Sequence, residues 1–495
     1  MKELELITQA RSHREQIAVR TELAKHTYAD LLVRSEILAA TLLDEIDDLA
    51  EARIAFLIPA GFEYVATQWA VWRAGGVTVP LCLSAAEPEL EYTLSDCQAS
   101  QLVVASAYKE KVEALCEKLS VSLLVIEEIN EVAQKVLPGI TPDRAAMILY
   151  TSGTTSNPKG VVATHANIQA QIESLSEAWE WSPNDRIPLF LPLHHIHGII
   201  NICSCALWVG ATIEPFPHFD LEKILGRVRT GAYTVFMAVP TIYVKLIKAI
   251  ESMPEDERSA TVGGFSKMRL MVSGSAALPA SIHEKWTALT GQKLLERYGM
   301  TELGMALSNP YHGERRPGAV GVALPKVDVR LKSEQGELIT VEDEPGEIQV
   351  RGPAVFHEYW NRPQITEESF DEGWFRTGDM AVIESGYFRI MGRLSIDIIK
   401  SGGYKLSGLE IEAALLQHEA ISECAVIGVP DETWGEMVVV AAVLEAGVDL
   451  EIDSLREWCR DRLSTYKIPK RLLVVEALPR NAMGKVTKMV LRELF

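Results

Sequence analysis

Short apolar runs alternate with longer amphipathic stretches through the first half of the chain. Residues 53–58 (Arg-Ile-Ala-Phe-Leu-Ile), 101–105 (Gln-Leu-Val-Val-Ala) and 122–126 (Ser-Leu-Leu-Val-Ile) read as buried strands, being short and rich in aliphatic side chains. Between them, residues 63–74 and 109–119 read as helices. This alternation predicts parallel sheets covered by helices. A second cycle follows, with strands at 233–239 and 268–273 around a helix near 241–252. From about 325 to 391 the pattern shifts to short alternating strands with Gly turns, which predicts a small β-barrel. A last unit from about 394 reads as a helix at 409–417, strands at 422–428 and 436–445, and a helix at 452–463.

A chain of 495 residues is too long for one core, so two or three domains are expected. With 47% hydrophobic and 23% charged residues it has the composition of an ordinary soluble protein. The 48 basic against 68 acidic residues give a formal charge of −20, a field that repels polyanions and excludes a general nucleic-acid or membrane-surface binder. Any phosphate ligand must therefore be gripped locally. The opening Met1-Lys-Glu-Leu-Glu-Leu has no leader character, so the cytoplasm is the expected compartment. Seven scattered cysteines without C-x-x-C pairs fit reduced thiols. The most apolar window, residues 198–213, is shorter than the roughly 20 residues a membrane span needs and reads as a buried helix.

The local grip is the stretch Tyr150-Thr-Ser-Gly-Thr-Thr-Ser-Asn-Pro-Lys-Gly160. Gly153 and Gly160 let the backbone approach a ligand, and Thr151, Ser152, Thr154, Thr155 and Ser156 add hydroxyl donors beside Lys159. It is not the P-loop, because Gly160 follows the lysine where Ser or Thr is required. Alone, such a tract is more often a solvated turn.

Downstream come Glu296-Arg-Tyr-Gly-Met-Thr-Glu302, Gly346-Glu-Ile-Gln-Val-Arg-Gly352, Trp374-Phe-Arg-Thr-Gly-Asp379, Gly392-Arg393, Lys400-Ser-Gly-Gly-Tyr-Lys405 and Pro479-Arg-Asn-Ala-Met-Gly-Lys485. In order and spacing this set resembles the adenylate-forming superfamily, which includes acyl-CoA synthetases, luciferases and peptide-synthetase adenylation domains. The likeness spans nearly the whole chain. It implies an α/β fold with a large amino-terminal domain, residues 1–393, of two parallel-type sheets with helices plus the barrel subdomain at about 325–391. A small, mobile α+β domain, residues 394–495, follows a hinge just after Arg393.

The resemblance also implies roles. Thr151, Ser152, Gly153, Thr154, Thr155 and Lys159 would hold the triphosphate of ATP. Tyr298 would stack on adenine, with the turn Ser273, Gly274, Ser275, Ala276 lining its other face and Glu296, Gly299 and Met300 also at the nucleotide. Thr301 and Glu302 would meet phosphate, with Thr154 and Glu302 holding Mg²⁺, a hard ion suited to oxygen ligands. Asp379 would take the ribose hydroxyls, assisted by Arg393, and Lys485 would reach the carboxylate and α-phosphate during adenylation. Rotation about Ser395, Ile396 or Asp397 would then bring Lys400, Ser401, Gly402 and Gly403 to the pantetheine of coenzyme A. The segment between Arg393 and Gly403 is one residue longer than in many relatives, which leaves the pivot among those three open.

Residues 191–198, 269–279, 294–302, 305–318 and 397–405 look most like malonyl-CoA synthetases. A dicarboxylic acid needs a fixed cation for the carboxylate that does not react, and Arg297 can supply a bidentate guanidinium. The competing reading pairs Arg297 structurally with Glu296 or another acid. His197, Ser273 and Met305 would line the same pocket. His194, His195 and His197 have metal-like spacing but no acidic or cysteine companion, which argues against a metal site. The expected activity is ATP-dependent ligation of malonate to coenzyme A, with methylmalonate, medium-chain or aryl acids, or a separate carrier-protein thiol, as alternatives. No partner beyond the small-molecule substrates is indicated, and a lysine-modifying enzyme acting on Lys485 is left open.

Overall fold

The computed structural model describes residues 3–130, 135–151, 158–402, 404–480 and 486–495. A seven-stranded sheet runs in the order Glu358–Tyr359, Lys159–Thr164, Ala145–Thr151, Val77–Pro80, Arg53–Leu57, Gln101–Val104, Ser122–Val125. From Ala145–Thr151 onward the strands pair in parallel, as their unbroken apolar runs require of a sheet buried on both faces. Lys159–Thr164 returns antiparallel and Glu358–Tyr359 closes that edge.

The second cycle contains two groups of strands. One is Lys25–Thr27, Ile17–Arg20, Thr212–Pro215 and Arg186–Leu189; the other is Val235–Ala238, Leu270–Ser273, Leu295–Met300, Gly304–Ser308 and Val322–Ala323. The Thr234 N–H donates to the Arg186 carbonyl at 3.0 Å, so the two groups abut edge to edge. Trp69, Trp72, Trp179 and Trp286 are almost wholly buried in the core against these sheets. Two of them have polar partners: Trp72 Nε1 donates to the Ala146 carbonyl at 2.7 Å and Trp179 Nε1 to Ser308 Oγ at 3.0 Å.

The expected barrel is a six-stranded antiparallel half-barrel, with Trp374–Glu384 pairing Gly346–Arg351, Phe370–Asp371 and Tyr387–Arg393. It extends two residues past the expected end, because Arg393 still pairs with Asp379 across the hairpin. A five-stranded sheet follows, with Tyr404–Ser407, Ile398–Ser401, Gly435–Leu444 and Ile421–Asp431 in order and Arg471–Val474 alongside Gly435–Leu444.

The apolar window 198–213 is not one helix. A π-helical turn, His197–Ser204, continues as Cys205–Trp208, and then Thr212–Pro215 forms a strand between Ile17–Arg20 and Arg186–Leu189. A continuous apolar run does not distinguish a buried helix from a buried strand, and here it contains both. No helix among the described residues is long and apolar enough to cross a membrane.

Candidate active site

The strand Leu295–Met300 and the hairpin Trp374–Glu384/Tyr387–Arg393 meet at three predicted residues. Tyr298 Oη donates to Asp379 Oδ2 at 2.7 Å, and Arg393 Nε donates to Asp379 Oδ1 at 3.1 Å. Asp379 and Arg393 are cross-strand partners, so the sheet register itself brings the pair together. Burial, and then the Asp379 charge, push the Tyr298 phenol well above its usual range, which keeps it protonated and a donor.

Glu302 is 6% exposed. Tyr359, which the motifs do not single out, donates its hydroxyl to Glu302 Oε1 at 2.9 Å. The Lys159 ammonium lies 4.3 Å from the centre of the same tyrosine ring. Tyr359 reaches both because Glu358–Tyr359 pairs with Val161 and Val162, next to Lys159 along that strand. Burial raises the Glu302 carboxyl, while Tyr359, Lys159 and Arg393 favour its charged form. Among the described residues no three His, Cys, Asp or Glu side chains converge on a point. A divalent ion would therefore depend on phosphate oxygens as well as Glu302, the hard-donor set that Mg²⁺ takes. Tyr359→Phe leaves Glu302 Oε1 buried without its donor. The expected result is a fall of about tenfold or more in acyl-adenylate formation with little change in ring packing; wild-type rates would show that the hydroxyl does nothing for Glu302.

Arg297 and His197 lie 4% exposed beside the turn after Leu270–Ser273. Ser275 Oγ accepts from Arg297 Nη2 at 3.3 Å and lies 3.1 Å from His197 Nδ1. Which of the two donates follows the imidazole tautomer: the hydroxyl can give its hydrogen to Nδ1, or accept from Nδ1–H with its second lone pair. His197 Nε2, Arg297 Nε and Ser273 Oγ are buried and have no partner among the described residues. Burial, and then the Arg297 charge, hold His197 well below its usual range and hence neutral. Ser275 takes a left-handed backbone, φ 68°, which a serine adopts only under constraint. Gly274 must lack a side chain, because a Cβ there would stand 2.5 Å from the Arg297 guanidinium.

Glu296 does not pair with Arg297. Successive strand residues face opposite ways, and Glu296 Oε1 accepts the Gly318 N–H at 2.8 Å instead. No carboxylate pairs with Arg297 among the described residues. Burial pushes the Arg297 pKa down to about 9. A guanidinium seldom surrenders its proton, so an anion placed beside it would offset the cost of this buried charge.

Burial also raises the Glu296 carboxyl to about 8, opposed only by the Gly318 N–H. The folded state then holds a proton that the unfolded chain has already lost, so this group weakens the fold as pH rises from its unfolded pKa towards about 8. Glu296→Gln keeps an acceptor for Gly318. Its melting temperature relative to wild type should rise between pH 5 and about pH 8; parallel profiles would contradict the assignment.

Met305 is buried on Gly304–Ser308, opposite Gly299, where a Cβ would stand 2.1 Å from the Gly304 carbonyl. Beside Thr301 the structure leaves a cavity of about 20 Å³, bounded by Gln171, Ile196, Ile200, Gly304 and Phe356. That holds one water and no alkyl chain. Met300 ends the strand Leu295–Met300, and Ala276 lies exposed in the turn with Ser275. Thr151 ends its strand opposite Lys159.

The coenzyme A and hinge candidates lie on the far side of Arg393. Lys400 Nζ pairs with Glu334 at 3.3 Å, Ser401 is buried, and the Gly402 N–H donates to the Trp434 carbonyl at 2.8 Å. Gly402 has φ 58°, and a Cβ there would stand 3.1 Å from the Trp434 ring. Ser395, Ile396 and Asp397 connect the half-barrel to the last sheet. Ser152, Gly153, Thr154, Thr155, Gly403 and Lys485 lie outside the described residues.

The AMP-binding enzyme family model matches residues 6–360, and the AMP-binding enzyme C-terminal domain model matches residues 410–485. The chain is 43% identical to a mitochondrial malonate–CoA ligase of Xenopus laevis, over 96% of this chain and 89% of the relative. It is 40% identical to a malonate–CoA ligase of Arabidopsis thaliana, over 90% of this chain and 78% of the relative. ATP-bound MatB from Rhodopseudomonas palustris superposes with a TM-score of 0.89 at 32% identity, covering 100% of this chain and 99% of that one.

Proposed function

The chain belongs to the AMP-binding enzyme family, and from that premise we propose that it ligates malonate to coenzyme A, giving malonyl-CoA, AMP and pyrophosphate. The observation that carries the substrate is the buried guanidinium of Arg297, with no acid beside it among the described residues, next to His197 Nε2 and Ser273 Oγ, which have no partner among those residues either. Three buried polar groups without partners among the described residues fit a carboxylate, and malonate brings one besides the carboxylate that reacts.

In the first half-reaction one carboxylate oxygen of malonate attacks the α-phosphorus of ATP, and pyrophosphate leaves. Lys159 and the loop before it would take the triphosphate, Asp379 the ribose, and Tyr298 the adenine. Lys485 would balance the charge that builds between carboxylate and phosphorus. Mg²⁺, held by Glu302 and Thr154, would neutralise phosphate charge. In the second half-reaction the thiol of coenzyme A attacks the malonyl carbonyl and AMP leaves, with residues 400–403 lining the thiol's path.

The units we assign are residues 1–393, including the half-barrel, and residues 394–495. All seven cysteines are free, which supports a reducing compartment, and the cytosol is our assignment. Malonate-dependent exchange of labelled pyrophosphate into ATP tests the two-step reading. Exchange is expected without coenzyme A, and adding it should release malonyl-CoA and AMP; exchange that requires coenzyme A would rule out a free-standing first step.

A further inference from the structure

A buried lysine that the motifs do not use lies three positions beyond Lys485. Lys488 is 9% exposed, and its ammonium pairs with Asp397 Oδ1 at 2.6 Å and Glu412 Oε1 at 2.7 Å. Glu412 is fixed from a second direction, since its Oε1 also accepts the Val426 N–H at 2.7 Å. The Lys488–Glu412 pair is thus neutral and held within the last unit. Asp397 is one carboxylate more than that pair needs.

The other oxygen of Asp397 shows what the extra carboxylate does. Asp397 Oδ2 accepts the backbone N–H of Arg393 at 3.0 Å, across the four-residue connection. Arg393 is the residue whose guanidinium holds Asp379, the candidate ribose carboxylate. Gly392 keeps room for the contact, because a Cβ there would stand 2.4 Å from Asp397 Cβ. One line of bonds therefore runs from the carboxy-terminal segment through Lys488 and Asp397 to the backbone of the ribose clamp. A rotation about residues 395–397 would carry Lys488 and Glu412 together and part Asp397 from the Arg393 N–H, so the last contact belongs to one of the two arrangements.

We propose that Lys488 is a positioning residue for the adenylation half-reaction: it holds Asp397 against the Arg393 N–H and so fixes the carboxy-terminal segment relative to the ribose clamp. The proposal rests on the two-step ligase reading above. Removing Lys488 outright leaves two carboxylates facing each other in a buried site, which endangers the fold. Asp397→Asn is the cleaner variant, because the Lys488–Glu412 pair survives it.

The test measures the two half-reactions separately, malonyl-AMP formation by pyrophosphate exchange and thioester formation from supplied malonyl-AMP, with thermal unfolding followed alongside. For Asp397→Asn, malonyl-AMP formation should fall by about tenfold and thioester formation by clearly less, while the melting temperature stays near wild type. Lys488→Arg, which keeps the charge, should retain more of the adenylation rate than Lys488→Met. Equal losses in both half-reactions, or an adenylation rate left at the wild-type value by Asp397→Asn, would overturn the proposal. Absence of exchange in the wild-type protein would instead sink the ligase reading on which it rests.

Discussion

Arg297→Ala should lower kcat/KM for malonate by about 10²–10³-fold and leave that for butyrate within about threefold of wild type. The asymmetry follows from what surrounds the guanidinium. Arg297 is buried and, among the described residues, has no acid beside it and donates from its side chain only to Ser275 Oγ. Alanine removes a cation that costs the fold something when the pocket is empty, so the protein itself should lose little stability. Malonate would lose its charged partner and be left with a desolvated carboxylate facing only the uncharged His197 and Ser273. Butyrate has no such group to strand. An equal loss for both acids would make Arg297 a structural residue.

The second large effect belongs to Lys485→Ala. Pyrophosphate exchange with malonate should fall by about 10²–10³-fold, the size expected when one donor to a developing charge is removed. Thioester formation from supplied malonyl-AMP should persist, because the acyl–phosphate anhydride is already made and the lysine has no further charge to balance. Equal loss of both steps would show that the two half-reactions share this lysine, against the division of labour between residues 400–403 and the carboxy-terminal segment.

Much of the fold was legible from local pattern. The helix Lys109–Leu119 matches its expected limits, because its apolar positions Val112, Leu115 and Cys116 fall on one face. The strands Arg53–Leu57 and Gln101–Val104 lie within a residue of expectation, since a fully buried parallel strand is an unbroken apolar run. The strand Thr212–Pro215 was hidden for the same reason, its apolar residues continuing those of the preceding helix.

The site divides along similar lines. Tyr298, Asp379 and Arg393 sit in short motifs, and the structure brings all three to one hydrogen-bonded cluster. What those motifs do not contain is orientation. Whether Arg297 pairs with Glu296 depends on Gly318, a residue 22 positions from Glu296 whose N–H takes the carboxylate away. Tyr359 and Lys488 carry no local mark. Each becomes visible only through strand pairing or domain contact, with Glu302 57 positions from Tyr359 and Asp397 91 positions from Lys488.

The most direct measurement is pyrophosphate release by the wild-type protein with ATP, Mg²⁺ and coenzyme A across malonate, methylmalonate, succinate, acetate, butyrate, octanoate and coumarate. The account predicts the highest kcat/KM for malonate, with acetate, butyrate, octanoate and coumarate poor because they bring no second carboxylate to the buried Arg297 guanidinium. A preference for a monocarboxylic acid would contradict it, leaving the adenylating chemistry in place and removing the dicarboxylate from the Arg297 pocket.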